Sequence, residues 1–425
     1  MKPVDTPWNL PDTRAEARAE KARAADDEVR VSDFLLFAAL PLRVVSVAGL
    51  PVNELAMLAV VGLAVLRKPD GGRPLRPLVV LLGVAMVAFL LLSGLANGVD
   101  WTRRVGHVAI WVGLVWAIGT GRVSLRSAAL GAATGLVGVI GLYQVGIGGD
   151  AYVGRLTGYL GDPNAGAYFI LVLGVLAVGF ATRRGRLRLL LAAPLVAGLV
   201  LTYSRTGLLA LAFALLWWVV GRRLGALGGA AAVAVLVWVT DNVPEDLKVF
   251  GPFSNRSGSD ALRERIVTRE YELLAAAPWY GNGPGTAQVT LGDDTFFFHN
   301  SYLAARQEGG WLLLALVLAV VALGFLAASA RSRRGDVPAV AAQAALIGAV
   351  VMSVTLGEVL LELPTAIALG FALCVARNDY STGQEIDPPV LVTPPREARP
   401  LFNNGAALGP HRTQYPGPAH QEEES

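Results

Sequence analysis

Cysteine is almost missing from this chain: Cys374 stands alone among 425 residues, so no intrachain disulfide and no cysteine-based metal cluster can form. Charge is scarce as well, at 16% of residues, and arginine greatly outnumbers lysine. The net charge of +3 is small and dispersed through short loops, which excludes a nucleic-acid surface. No Gly-Lys-Ser/Thr follows any glycine-rich turn, so a nucleotide phosphate loop is absent. No Asp-x-Asp pair and no histidine cluster is present, and neither a metal nor a cofactor is expected. The first thirty residues are polar and lack the short apolar core of a cleavable signal.

What the chain has in abundance is apolar sequence, 54% hydrophobic with a mean hydropathy of +0.51. That is too apolar for a water-surrounded domain, and each block is long enough to approach the roughly 20 residues that cross a bilayer. Blocks fall at 32–49, 51–66, 77–96, 105–121, 127–147, 162–182, 187–203, 205–220, 224–240, 309–329, 338–356 and 359–376. Lipid satisfies no backbone hydrogen bond, so the expected fold is all-α, a polytopic transmembrane helical bundle of about twelve spans. Three polar regions flank or interrupt the 31–376 transmembrane domain. They are a charged N-terminal segment at 1–30, a long loop at 241–308 expected to contain short helices, and a proline-rich tail at 377–425 with the composition of disorder.

Basic residues collect in alternate loops, as the positive-inside rule requires of cytoplasmic ones. They are Arg67, Lys68, Arg73 and Arg76, then Arg122 and Arg126, then Arg183, Arg184, Arg186 and Arg188, then Arg222 and Arg223, and then Arg331, Arg333 and Arg334. This parity puts both termini in the cytoplasm and the 241–308 loop outside. Arg103, Arg104, Arg155, Arg205 and the loop arginines then fall on the unfavoured side. Each alone reads as a headgroup contact, whereas several together point to an anionic ligand.

Four constellations carry possible chemistry. Asp162-Pro163 is a helix start, Asp as N-cap and Pro at the first turn, with Arg155 upstream and Asn164 just inside. The positive end of that helix beside an arginine suits a phosphate. In Tyr203-Ser204-Arg205-Thr206-Gly207 Ser204 can cap the next helix, and a cation in a first helical turn opposes the macrodipole unless an anion binds there. Arg263-Glu264-Arg265 opens a helical stretch ending at Pro278, followed by a Gly281-Asn282-Gly283-Pro284-Gly285 turn. His299-Asn300-Ser301-Tyr302-Leu303 then precedes Glu308-Gly309-Gly310; an imidazole can take a proton from a hydroxyl, an effect of about 10²–10⁴ in rate. Glu308, Glu358 and Glu362 are expected to pair with the cations. Each motif also has a purely structural reading as a cap, a turn or an anchor.

Taken in order over residues 150–330, these motifs resemble the O-antigen ligase and polymerase superfamily of bacterial membrane glycosyltransferases. The resemblance implies a polyprenyl-diphosphate-linked glycan as donor, a glycan or other hydroxyl as acceptor, and metal-independent transfer at the outer face of the cytoplasmic membrane. It implies that Arg155, Arg205 and either Arg263 or Arg265 hold the diphosphate while His299 activates the acceptor, supported by Asn164, Asn300 and Glu308. An aromatic common early in the family's loop helix is replaced around Val267 to Arg269. A lipid-linked oligosaccharide flippase is the competing reading, but it calls for mid-membrane charges and repeated halves, which are not evident.

Overall fold

The apolar blocks become helices in the computed structural model, which describes residues 29–69, 74–149, 152, 154–182, 184–241 and 257–377. Most of the charged N-terminal segment, Arg73, Arg183, Arg256 and the tail beyond Arg377 lie outside the described residues. The helices are α1 Val31–Ala38, α2 Val52–Leu66, α3 Pro77–Asn97, α4 Thr102–Gly119, α5 Leu125–Gln144, α6 Pro163–Phe180, α7 Gly185–Leu201, α8 Arg205–Asp241, α9 Ser257–Ala276, α10 Ser301–Arg333, α11 Val337–Met352 and α12 Leu363–Arg377. Two antiparallel hairpins complete the fold: β1 Ser46–Val47 with β2 Leu50–Pro51, and β3 Gln288–Leu291 with β4 Asp294–Phe297. Among the described helices, α3, α5, α6 and α10 are long and apolar enough to cross a membrane.

Three expected blocks take a different form. The block at 32–49 is helical only to Ala38 and then turns into the first hairpin; Pro41, Gly49 and the β-branched Val44, Val45 and Val47 oppose a helix there. The blocks at 205–220 and 224–240 are one 37-residue helix. Arg222 and Arg223 are polar but helix-compatible, and no proline interrupts the hydrogen-bond ladder. Twelve separate spans are therefore not seen. The described part of the long loop contains one 20-residue helix and a hairpin.

Helices α11 and α12 are apolar on all sides and buried on nearly all sides, so they form the centre, with α6 packed on them. Helix α3 is as apolar, yet Leu78, Leu81, Val84 and Leu92 are exposed on it, a face suited to lipid. Because lipid is as apolar as leucine, close backbone approach must hold neighbours together. Gly131 and Gly135 supply it: a Cβ at either would fall 2.2 Å from the carbonyl oxygen of Phe34 or Ala38 on α1.

At the end of the bundle that carries α9 and the β3–β4 hairpin, called here the loop end, α10 is broken. Gly309 and Gly310 leave helical geometry, Gly310 with φ +63°. The carbonyls freed by the break accept from the glycine turn: Asn282 N–H donates to Gln307 O at 2.7 Å and Gly283 N–H to Glu308 O at 3.1 Å. Ser93 Oγ donates to Tyr280 O and Glu308 O, and Asn97 Nδ2 to Gly281 O. The opposite end is tied by Arg67 to Asp33 at 2.6 Å and by Arg122 Nε to Arg67 O at 3.0 Å.

A methyl group at Gly310 would lie 1.8 Å from Trp279 O, whereas nothing stands within 4 Å of one at Gly285, where φ is also positive. We predict that Gly310→Ala lowers stability by on the order of 3 kcal/mol and Gly285→Ala by about 1 kcal/mol, the left-handed backbone cost alone. Thermal unfolding of both variants in detergent checks the difference; equal shifts would contradict the clamp.

Candidate functional site

Helix starts bring the arginine motifs together. Asp162 caps α6, its side chain accepting from Asn164 N and Ala165 N at 2.8 and 3.0 Å, with Pro163 at the first turn. Asn164 thus contributes to the cap through its main chain. Ser204 caps α8 by accepting from Gly207 N at 3.2 Å. Before it, Tyr203 adopts φ +47°, a left-handed conformation that costs a non-glycine residue energy and makes the α7–α8 turn sharp. Leu156 N donates to Leu201 O at 2.8 Å, and Arg155 Nε to Thr202 O at 2.9 Å. Arg155 is therefore seated on the turn that presents Arg205. Beside it, partial burial followed by the Asp162 carboxylate pushes the Tyr152 hydroxyl above its usual value.

The histidine motif reaches the same end through the segment between α11 and α12. Thr355 and Thr206 share a hydroxyl hydrogen bond of 2.8 Å. Ser301 N donates to Ser353 O at 2.8 Å, Ser301 Oγ donates to Leu356 O, and Val359 N donates to Ser301 Oγ at 2.9 Å. Gly357 passes so close to Phe298 that a Cβ would meet its carbonyl at 1.6 Å. One side of this segment touches the residue after Arg205 and the other touches both neighbours of the His299-Asn300 pair. Asn300 caps α10, its Oδ1 accepting from Tyr302 N and Leu303 N.

His299 keeps 27% of its side chain exposed. Its main-chain N–H donates to Glu270 Oε1 at 2.6 Å, and its Nδ1 is 3.5 Å from the same oxygen. Glu270, fully buried on α9, is a site contact that motif reading missed. Its signal was present: Ile266, Glu270 and Leu274 recur every four residues as the buried stripe of α9, and a carboxylate in an apolar stripe needs a partner.

Helical geometry separates the two loop arginines. Arg263 precedes Glu270 by seven residues, close to two full turns, so it shares the His299 face, whereas Arg265 lies roughly 140° away. Both are exposed. Arg265 lines a 370 Å³ cleft with Glu264, Thr268, Arg269, Glu272 and Leu291. An apolar cleft of 560 Å³ lies along α3 and α4, from Leu75 to Leu91 and Ala109 to Trp116.

Glu308 pairs with a cation other than Arg155 or Arg205. Its Oε2 accepts from Arg104 Nε at 2.9 Å and its Oε1 from Gly285 N at 3.1 Å, while Glu358 Oε1 lies 3.3 Å from the Arg104 NH1 nitrogen. One turn on, His107 Nδ1 meets Glu54 Oε1 at 3.2 Å and its Nε2 meets Leu361 O at 3.1 Å. Removing one partner of a buried pair such as Arg104 with Glu308 costs about 3–5 kcal/mol, so these acids hold α2, α4, α10 and the turn before α12 together. Among the described residues, no group of three or more His, Cys, Asp or Glu side chains is placed to hold a metal ion.

No curated protein matches the chain. Residues 189–318 match the family model described as O-antigen ligase, a stretch that runs from α7 into α10 and contains Arg205, Arg263, Glu270, His299 and Glu308. That match supports placing the chain with the O-antigen ligase and polymerase superfamily of membrane proteins.

Proposed function

We propose that this chain transfers or polymerises a polyprenyl-diphosphate-linked glycan at the extracytoplasmic face of a bacterial cytoplasmic membrane, without a metal. The observation that carries the reading is the meeting of the Arg155 and Arg205 motifs with the His299-Asn300 motif at the loop end, through Thr202, Thr206 and the 353–359 segment. Forked guanidinium donors match phosphate oxygens, and the positive ends of α6, α8 and α10 add to their attraction for a diphosphate.

In this reading Arg155, Arg205 and Arg263 hold the diphosphate, and His299 removes the acceptor's hydroxyl proton. The acceptor oxygen bonds to the anomeric carbon of the donor glycan. The bond from that carbon to the diphosphate oxygen breaks, and its electron pair leaves with the polyprenyl diphosphate. Arginine charge set against the leaving group stabilises the negative charge that develops there in the transition state, the usual largest contribution when water is excluded. Arg263 is preferred to Arg265 because it shares the face of α9 that meets His299.

The test is reconstitution in liposomes with lipid-linked glycan extracted from parent cells deleted for this chain, where the donor accumulates. Arg155→Ala and Arg205→Ala are each expected to lower kcat/KM by about 10²–10³, and His299→Ala to lower kcat by about 10²–10⁴. A product ladder identifies a polymerase, and one discrete transfer to a foreign acceptor identifies a ligase. Unchanged turnover in all three variants removes the mechanism; glycan crossing the bilayer with no new bond favours transport.

Arg263→Ala and Arg265→Ala separate the loop arginines in the same assay. The first is expected to lose at least tenfold in kcat/KM and the second less than threefold, since one charge-assisted contact to phosphate is worth about 1.5–3 kcal/mol. The reverse order would assign the contact to the Arg265 cleft.

A further inference from the structure

Glu270 is a fully buried carboxylate on a helix whose other buried side chains are apolar. Around it, Ile266, Leu274, Ala287, Val289, Phe298 and Ala304 pack into a small cluster that joins α9 to the hairpin and to α10. Placing an ionisable group there carries a large desolvation cost unless its charge has a use. Among the described residues, its polar side-chain contacts go to one residue. Oε1 accepts the His299 main-chain N–H at 2.6 Å and lies 3.5 Å from His299 Nδ1. Glu270 Oε2 and His299 Nδ1 are both buried, and neither has a hydrogen-bond partner among the described residues.

A purely structural anchor for the His299 main chain accounts for one oxygen and no charge. It leaves a buried acceptor and a buried ring nitrogen unused. An N–H on Nδ1 would reach Oε1 after a shortening on the order of half an ångström, and catalytic hydrogen bonds are commonly long before substrate closes the site.

We infer that Glu270 is the positioning residue for His299: it holds the proton on Nδ1, leaves Nε2 as the nitrogen that accepts the substrate proton, and stabilises the imidazolium that results. This rests on the reading of His299 as the base. When the acceptor hydroxyl loses its proton to Nε2, the proton on Nδ1 stays in place, shared with the carboxylate. Glu270 itself is not protonated, and the imidazolium returns its extra proton to water after product leaves. The arrangement follows the physical logic of a carboxylate behind a catalytic imidazole, where removing the negative charge imposes the wrong tautomer.

The test uses the full-length protein in liposomes with the extracted lipid-linked glycan, comparing Glu270→Gln, Glu270→Asp, His299→Ala and the Glu270→Gln/His299→Ala double variant. Glu270→Gln preserves the shape and still accepts the main-chain N–H. It is expected to lower kcat by about 10²–10⁴ with KM for the donor within twofold and no loss of thermal stability. Glu270→Asp keeps the charge and should recover at least tenfold of that loss. The double variant should be no slower than His299→Ala, since two residues acting as a unit are not additive. If His299→Ala is inactive while Glu270→Gln keeps wild-type kcat, or loses activity only in proportion to lost folded protein, the positioning role is overturned and the base stands. Additive losses in the double variant also overturn it. An active His299→Ala overturns the base and the positioning role together.

Discussion

An unbroken helix between Ser301 and Arg333 would leave no backbone group unsatisfied in its interior. Breaking it at Gly309 and Gly310 creates orphaned carbonyls that neither lipid nor an apolar core can serve, and each would cost several kcal/mol if left alone. The turn from Gly281 to Gly283 is what makes the break tolerable, since its amides meet Gln307 O and Glu308 O. A side chain on Gly281 would collide with the backbone of Glu308 to Gly310, and one on Gly310 with Trp279. The two glycine segments are therefore a single interlocking joint, although 24 or more residues of chain separate them in places.

The joint has consequences in both directions from Gly309. Toward the N-terminus it makes Ser301 to Glu308 a short helix of its own, whose start is pinned by Asn300 and by the 353–359 segment. Glu308 is consequently held where its carboxylate meets Arg104 and the Gly285 amide together. Toward the C-terminus the rest of α10 runs into the bundle beside α11 and α12. The long loop is thus fastened to the helices at two points: by the glycine joint, and by the small apolar cluster under α9 that holds Phe298 next to His299. A histidine at such a place is fixed by the backbone on both sides, which is what a group that must meet a substrate hydroxyl requires.

What could be read from the sequence was whatever depends on near neighbours. Asp162-Pro163 as a helix start and Ser204 as a cap follow from backbone chemistry within three residues, and both are present. The boundaries at 222–224 and in the first apolar block failed for the same local reason: length and hydropathy locate apolar sequence without deciding whether the backbone turns. Glu308 was recognised as an acid near a cationic site, but its partner is Arg104, 204 residues away, and no spacing rule identifies a pair so distant. Glu270 is the instructive omission. It lies between Ile266 and Leu274 at helical spacing, so a check for acids within apolar stripes would have selected it without any structure.

The acidic residues at the loop end have separate fates. Glu308 and Glu358 flank Arg104, and Glu54 meets His107, so Arg104 already has anionic partners inside the fold. Arg155 has its Nε seated on the main-chain carbonyl of Thr202, a contact that fixes the guanidinium plane. The caps of α6, α8 and α10 come from Asp162, Ser204 and Asn300, so the first free amides of those helices are occupied and their contribution to a bound anion is the field of the helix ends. Specific contacts then fall to side chains whose direction the backbone sets. In the proposed reading, a diphosphate, with two charged groups to satisfy at once, benefits from such divided support more than a single lipid phosphate does.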